Sequence, residues 1–177
     1  MDFLDIAKSR YSVRNYKDIP VEEEKLQKIL TAAHVAPTGN NQQPVRLIVV
    51  REKEGMEKLA KATRSIYNAP MGIIVCADKS KAWQRKYDEK NISDIDASIL
   101  TDHMMLEATN LGLGSLWICW FKPDVIKTEF NLPEGVEPVN ILALGYADRE
   151  PESPDRHDVK RIPLSELVYF EEYGKAK

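Results

Sequence analysis

The sequence has few cysteines, no long apolar run and no excess of positive charge, and each shortage excludes a class of protein. Cys76 and Cys119 each lie in an apolar stretch without the spacing of a metal site or a redox pair, so we expect both thiols to be buried and reduced. No window approaches the roughly 18 uncharged residues that a membrane span needs. Asp2, Asp5 and Lys8 interrupt any secretory leader. The formal net charge of −3 argues against a nucleic-acid partner. We therefore expect a cytoplasmic protein that binds neither membranes nor nucleic acid.

The remaining composition is that of one globular domain. The chain has 177 residues, of which 43% are hydrophobic and 30% are charged. This length is enough to bury a sizeable core, and no internal repeat or second domain is apparent. We expect a single domain over residues 1–177.

Apolar periodicity predicts a succession of helices and strands. The predicted helices cover about 2–8, 20–35, 54–63, 93–111 and 123–130, and the predicted strands cover 45–50, 71–77, 115–120 and 139–147. The strand at 71–77 is almost continuously apolar, which is typical of a central strand covered on both faces. Residues 79–90 are strongly charged but include Trp83 and Tyr87, which would share a face of a helix. We expect a solvated helix there, with a mobile cover over a pocket as the alternative.

Two polar stretches lie between these elements. In the first, residues 9–16 (SRYSVRNY), two arginines and the Ser12 hydroxyl lie on a segment without apolar periodicity, a pattern suited to an anion such as phosphate. In the second, residues 36–44 (APTGNNQQP), hydroxyl and amide groups lie between two prolines and could recognise the edge of a ring. From these residues alone, a solvated surface loop and a connecting loop are the alternatives.

The C-terminal segment has a different character. Residues 148–163 contain three prolines and a cluster of charges, and strand-forming residues from Leu164 to Phe170 follow. This order predicts an extended arm over residues 148–177 that carries a final strand to a distant place.

Several other motifs are discounted. Gly112-Leu113-Gly114 follows a helix and precedes a strand, which is the reverse of the order in a dinucleotide-binding loop. The three histidines are too dispersed for a local metal site, and Asp94 and Asp96 are interpreted as charges at a helix start. A hydrolase is disfavoured because the chain lacks a G-x-S-x-G elbow.

Taken together, five segments resemble the flavin-dependent nitroreductase family over nearly the whole chain. They are SRYSVRNY, APTGNNQQP, LGLGSLWICWF, LALGYAD and VKRIPL, in this order. The resemblance implies an α+β fold with a mixed, largely antiparallel central sheet flanked by helices. It also implies an intertwined homodimer, in which the C-terminal strand of each chain joins the partner's sheet and FMN lies at the subunit interface.

The resemblance assigns cofactor-binding positions residue by residue, and from the dispersed histidines we expect no metal site. The positions that bind the FMN phosphate and ribityl chain in the family are matched by Arg10, Tyr11, Ser12, Lys160 and Arg161. The position near the pyrimidine edge is matched by Arg14. The positions that contact the flavin ring from the other subunit are matched by Pro37, Thr38, Asn41 and Gln43. The segment whose backbone lines the ring is matched by Ser115, Leu116, Trp117 and Ile118. Three positions depart from the family pattern: Tyr11 replaces a second Arg, Thr38 replaces Ser, and Val45 replaces Trp.

The implied activity is a ping-pong reaction in which the flavin carries the chemistry. NADH or NADPH would reduce FMN by hydride transfer, and a small electron-poor acceptor of the nitroaromatic or quinone type would then take its place. The alternatives are a specialised flavin enzyme such as a reductive dehalogenase, a non-catalytic FMN-binding sensor or carrier, and a flavin-free interaction protein on the same scaffold.

Overall fold

A computed structural model describes residues 2–175 of the chain. In chain order the elements are α1 (Phe3–Ser9), α2 (Glu23–Val35), β1 (Val45–Val50), α3 (Lys53–Ala62), β2 (Met71–Asp78), α4 (Ser93–Asn110), β3 (Gly114–Ile118), α5 (Pro123–Glu129), β4 (Val136–Gly145), α6 (Arg156–Lys160) and α7 (Leu164–Leu167). A 3-10 turn at Gly39–Asn41 lies between α2 and β1. Apart from the helix predicted over residues 79–90, the predicted helices and strands up to residue 147 are present, with ends shifted by up to three residues.

The four strands form one antiparallel sheet in the order β1-β2-β4-β3. Successive side chains of β2 point to opposite faces, so Ile73 and Val75 enter one core and Ile74 and Cys76 enter the other. All four are fully buried. The α+β fold and the prediction that β2 is covered on both faces are confirmed.

Helices cover both faces of this sheet. On one face, Ile29 of α2 and Met104 of α4 lie in the same core as Ile73, and on the other face Leu59 of α3 and Ile126 of α5 lie in the same core as Ile74. Each fully buried side chain of this size contributes about 1.5–3 kcal/mol of transfer free energy. The two cores fix the sheet. The sheet in turn fixes β3, along which residues 9–16 lie, and the start of β1, which residues 36–44 precede.

The start of α2 differs from the prediction. The sequence predicts a helix from Pro20, whereas α2 begins at Glu23 and ends at Val35. Val21 is already buried in the core, and Glu22 has an extended backbone as the N-cap residue. The helix therefore begins three residues later than predicted, after Val21 has entered the core.

The predicted helix over residues 79–90 is wrong. These residues form turns, and an antiparallel bridge joins Gln84 to Asn91. Tyr87 is 98% exposed, whereas Trp83 is 37% exposed and approaches the 3-10 turn at Gly39. The segment has no apolar stripe with which a helix could pack.

Cys76 is buried as predicted, but the prediction that Cys119 is buried is wrong. The thiol of Cys119 is exposed because β3 ends at Ile118, one residue earlier. The chain then turns towards α5.

The C-terminal arm also departs from expectation in its local structure. Leu164–Leu167 is a short helix, not part of a strand, and Arg156–Lys160 is a helical turn inside the proline-rich segment. Residues 168–175 form no strand within the described single chain. A strand that joins a partner's sheet stays a prediction.

Candidate functional site

The segment from Arg10 to Tyr16 lies along the edge strand β3. Ser12 and Ser115 form a parallel bridge, and the Val13 amide donates a hydrogen bond to the Ser115 oxygen at 3.0 Å. Val13 and Tyr16 are buried in the core and hold the segment, which leaves Ser12 and Arg14 exposed on the outer side. Because the bridge is parallel, the segment and β3 run in the same direction.

Hydrogen bonds attach the C-terminal arm to this segment and to the end of α1. Arg156 donates a hydrogen bond to the main-chain oxygen of Arg10, and Nε2 of His157 lies 3.1 Å from the oxygen of Lys8. The Tyr11 hydroxyl donates to the oxygen of Arg149 at 3.3 Å. These contacts bring residues from the two ends of the sequence to one place.

The result is a cavity of about 300 Å³ that we call the basic cavity. It is lined by Arg10, Tyr11, Ser12, Arg14, Glu152, Arg156, His157, Lys160 and Arg161. All six residues that the sequence assigns to the phosphate, the ribityl chain and the pyrimidine edge are in this set. The sequence reasoning missed Glu152, Arg156 and His157. The four-residue spacing of Arg156 and Lys160, which is typical of one helix face, could have revealed the first arginine.

The charges of the basic cavity are poorly balanced. Burial lowers the pKa of Arg10, and the neighbouring guanidiniums of Arg156 and Arg161 lower it further, against a smaller opposite effect of Asp102. The carboxylate of Glu152 accepts a hydrogen bond from Lys160 at 2.8 Å, and its pKa is lowered mainly by this contact. One carboxylate therefore faces four arginines and a lysine, an arrangement that favours a bound anion.

The residues predicted to face the flavin ring from the other subunit lie elsewhere in the chain, in residues 36–44, which we call the polar loop. Asn40, Asn41 and Gln43 have positive φ angles of 49°, 55° and 50°. The Gln43 amide donates to Oγ1 of Thr38 at 3.1 Å, and its side chain donates to the Asn41 oxygen at 3.2 Å. Left-handed backbone is uncommon for residues other than glycine, and such residues cluster at functional sites.

The polar loop and the basic cavity are separate within one chain. Thr38 and Gln43 line a different cavity of about 260 Å³ beside α2 and β1, which shares no lining residue with the basic cavity. The role of Pro37, Thr38, Asn41 and Gln43 in a partner's site stays a prediction.

The predicted ring-lining segment in β3 presents mainly its backbone. The side chains of Leu116 and Ile118 are buried in the core, and Trp117 is half-buried against α4. The Oγ atom of Ser115 is buried and has no hydrogen-bond partner among residues 2–175. Beyond β3, exposed Cys119 lines a further cavity of about 820 Å³.

Trp120 also lines this cavity and is 85% exposed. One wall of the cavity is fixed by a hydrogen bond of 2.7 Å from Oγ1 of Thr63 to the oxygen of Trp120. The sequence reasoning missed this cavity because it extended β3 through Trp120.

The nitroreductase family matches residues 7–67 and 64–146 of the chain. The chain belongs to this family. It is 57% identical to a nitroreductase family protein from Clostridium difficile 630, with a TM-score of 0.94 over 97% of this chain and 99% of the other. It is 32% identical to an FMN-dependent nitroreductase from Clostridium difficile R20291, with a TM-score of 0.76 over 96% and 99%. It is 29% identical to the FMN reductase [NAD(P)H] of Bacillus subtilis, over 92% of this chain and 70% of that protein.

Two further observations concern membrane-spanning helices and metal sites. No helix within residues 2–175 is long and apolar enough to cross a bilayer. In the same part of the chain, no three His, Cys, Asp or Glu side chains are grouped as metal ligands.

Proposed function

We propose that this nitroreductase is an FMN-dependent oxidoreductase that takes hydride from NADH or NADPH and reduces an electron-poor acceptor of the nitroaromatic or quinone type by a ping-pong mechanism. The names of its relatives include an FMN-dependent nitroreductase and an FMN reductase that uses NAD(P)H. The single observation that carries the assignment to this chain is the basic cavity, in which groups from both ends of the sequence meet.

The residues of the basic cavity fit the phosphate end of FMN. Arg10, Arg156 and Arg161 lie close enough for the two other guanidiniums to lower the pKa of Arg10. A phosphate dianion would relieve this repulsion and accept paired hydrogen bonds from guanidinium groups. We assign the phosphate to Arg10, Lys160 and Arg161, with Ser12 as a neighbouring hydroxyl and Tyr11 as part of the wall.

Bound FMN supplies the redox chemistry, because its ring can accept and donate a hydride equivalent. The residues of the chain bind it and set its electrostatic environment. We assign to Arg14 the stabilisation of negative charge at the pyrimidine edge of the flavin. A cation already held at this edge favours the reduced cofactor. No side chain of the protein has to act as a nucleophile.

We also propose that the protein acts as a homodimer. Between Val159 and Leu167 the arm exposes four aliphatic side chains, at 85% for Val159, 59% for Ile162, 72% for Leu164 and 65% for Leu167. Such a cluster is typical of a surface that is covered by a partner. A second copy would cover it and could bring its polar loop to the basic cavity of the first.

The experiment is a spectroscopic titration of the purified protein. We expect bound FMN with a flavin absorption spectrum, bleaching by NADH or NADPH without oxygen, and recovery on addition of a nitroaromatic or a quinone. Initial rates at several acceptor concentrations should give parallel double-reciprocal lines. A protein that binds no FMN after incubation with it would overturn the proposal.

Two alternatives give different results in the same experiment. A sensor or carrier would bind FMN without acceptor-driven oxidation of NAD(P)H. A reductive dehalogenase would release halide from a halogenated aromatic faster than it reduces nitroaromatics or quinones.

A further inference from the structure

The carboxylate of Asp96 on α4 holds the polar loop from inside the protein. The side chain is only 1% exposed, and its Oδ1 atom accepts a hydrogen bond from the Gly39 amide at 2.8 Å. Its Oδ2 atom is buried and has no hydrogen-bond partner within residues 2–175. Asp94 and Asp96 both lie in the first turn of α4, as the sequence indicated, but only Asp94 is exposed, whereas Asp96 is buried and binds Gly39.

Burying a carboxylate with one oxygen unpaired is unfavourable, so the group needs a reason beyond the start of a helix. The contact with Gly39 provides one. This hydrogen bond joins α4 to a loop 57 residues away in sequence, and its loss would leave a buried donor without a partner.

Ile92, immediately before α4, holds the same glycine from another direction. A Cβ atom placed on Gly39 would lie 2.3 Å from Cδ1 of Ile92 and 3.2 Å from Cβ of Trp83. The backbone at Gly39 is thus seated against these two side chains, while its amide is bound by Asp96. A methyl group here would force the end of the Ile92 side chain to move and would remain close to Cβ of Trp83.

The part of the loop that follows Gly39 has a conformation that is unfavourable without support. Asn40, Asn41 and Gln43 are all left-handed. The hydrogen bonds within the loop connect near neighbours, from the amides of Asn41 and Gln42 and from the amide and side chain of Gln43, so they do not attach the loop to the rest of the fold. Strained backbone of this kind persists where its surroundings hold it in place. The attachment at Gly39 is such a support.

We propose that Asp96 and Ile92 are positioning residues, which hold the polar loop in the conformation that contacts the cofactor and the acceptor. This inference rests on the proposed function. In this proposal the two residues act through Gly39. They set the geometry of Thr38 and Asn41.

The first test compares Asp96→Ala with Asp96→Asn. The alanine removes the acceptor, so the loop should loosen, with a loss of about tenfold in hydrogen-exchange protection of residues 36–44 in the cofactor-free protein and a rise of about tenfold in the FMN dissociation constant. Asparagine keeps an oxygen for the Gly39 amide and should stay within about threefold of the unchanged protein.

Thr101→Val is the matched control on the same helix. Thr101 is fully buried and its hydroxyl bonds to the Ala97 oxygen and to Asn140. Its replacement should lower the melting temperature, yet leave loop exchange and FMN affinity within about twofold because it does not touch the loop.

The second test changes Gly39 and Ile92 and leaves Asp96 intact. Gly39→Ala should partly reproduce the loosened loop, because its methyl group meets Cδ1 of Ile92 while Cβ of Trp83, 3.2 Å away, limits the room for adjustment. Ile92→Val removes that atom and should restore at least half of the lost protection when combined with Gly39→Ala. Each single variant and the pair form a double-mutant cycle.

The outcomes separate the inference from the proposed function. If Asp96→Ala loosens the loop no more than Thr101→Val at an equal loss of melting temperature, Asp96 is only structural and the inference fails. If Asp96→Ala does not fold, Asp96→Asn is the deciding variant for Asp96, and a loop that loosens more than about threefold in it contradicts the role given to the retained oxygen. Failure of Ile92→Val to restore loop protection in Gly39→Ala removes Ile92 from the proposed role. If the unchanged protein binds no FMN, the proposed function fails, and loop exchange still decides whether Asp96 and Ile92 hold the loop.

Discussion

The guanidinium of Arg156 donates a hydrogen bond to the main-chain oxygen of Arg10 across 146 residues of sequence. This contact closes the C-terminal arm over the N-terminal segment and creates the basic cavity. The arm therefore completes a site inside its own chain, in addition to the contact with a partner that we propose for it.

Removal of the cavity arginines should release the cofactor. We expect Arg10→Ala and Arg161→Ala each to raise the FMN dissociation constant by roughly 10- to 100-fold, because each removes a charge-assisted hydrogen bond to phosphate. Fluorescence titration with FMN measures this effect. Arg51→Ala is the control, since Arg51 pairs with Glu23 on the surface outside the cavity. Equal losses in all three variants would contradict the assignment.

Glu152 should weaken binding of the anion. Its carboxylate lies in the basic cavity and holds Lys160 at 2.8 Å. We expect Glu152→Gln to free Lys160 and tighten FMN binding by up to about fivefold at low salt, with a smaller gain at high salt because exposed charges are screened. Titrations at two salt concentrations measure the gain. Weaker binding in the variant would mean that Glu152 orients Lys160 for the phosphate.

Arg14 should tune the redox potential more than the affinity. We expect Arg14→Gln to lower the two-electron potential of the bound cofactor by about 30 mV, which corresponds to a tenfold change in the equilibrium constant. Arg14→Lys, which keeps the charge, should lie close to the unchanged protein. Equilibration with a reference dye under nitrogen gives the potential. Equal potentials in Arg14→Gln and the unchanged protein would remove Arg14 from the pyrimidine edge.

The aliphatic side chains of the arm should hold the dimer together. Leu164 and Leu167 are 72% and 65% exposed in the single chain. We expect Leu164→Ser with Leu167→Ser to raise the dimer dissociation constant at least about tenfold, because each substitution removes apolar surface from the interface. Analytical ultracentrifugation measures it. Tyr87→Ser is the control, since Tyr87 is 98% exposed on another segment. A monomeric unchanged protein would sink the proposal of a dimer.

The two cysteines should differ in reactivity. Burial raises the pKa of Cys76 to about 12, whereas the thiol of Cys119 is exposed. We expect a thiol reagent to label one cysteine in the native protein, and Cys119→Ser to abolish that labelling. Mass spectrometry of the labelled peptides identifies the site. Rapid labelling of Cys76 before unfolding would show that this core is open.

The raised pKa of Cys76 also has a consequence for stability. The folded state favours the neutral thiol, so this contribution is fully present below the ordinary pKa of 9.0 and is lost as the pH rises towards about 12. We expect Cys76→Ala to lower the melting temperature at pH 7 through the lost packing, and to reduce the decline between pH 9 and 11. Thermal unfolding at several pH values measures both effects. An unchanged slope would assign the decline to other groups.

The sequence was sufficient for the core, because core patterns are local. The apolar runs of residues 45–50, 71–77 and 139–147 predicted three of the strands with small shifts at their ends. The prediction of a helix from the sequence was wrong at residues 79–90, where charged residues dominate. Charged residues without an apolar stripe form turns as readily as a helix.

Part of the candidate site could also be predicted from the sequence. The arginines and serine near the N-terminus and the basic pair at residues 160–161 were assigned from motifs, and the fold brings them together in the basic cavity. Arg156, Glu152 and Asp96 were not assigned. Arg156 and Glu152 belong to a charge-rich arm, and only the folded chain distinguishes their positions from those of their neighbours.

By itself the sequence determined the family, the layered α+β fold and the polar segments, because these depend on residue types and spacings along the chain. The tertiary structure decided which charges meet and which carboxylate is buried. Asp94 and Asp96 are both aspartates in the first turn of one helix, yet only Asp96 binds the polar loop at Gly39. That difference depends on contacts between residues far apart in sequence, which local pattern does not encode.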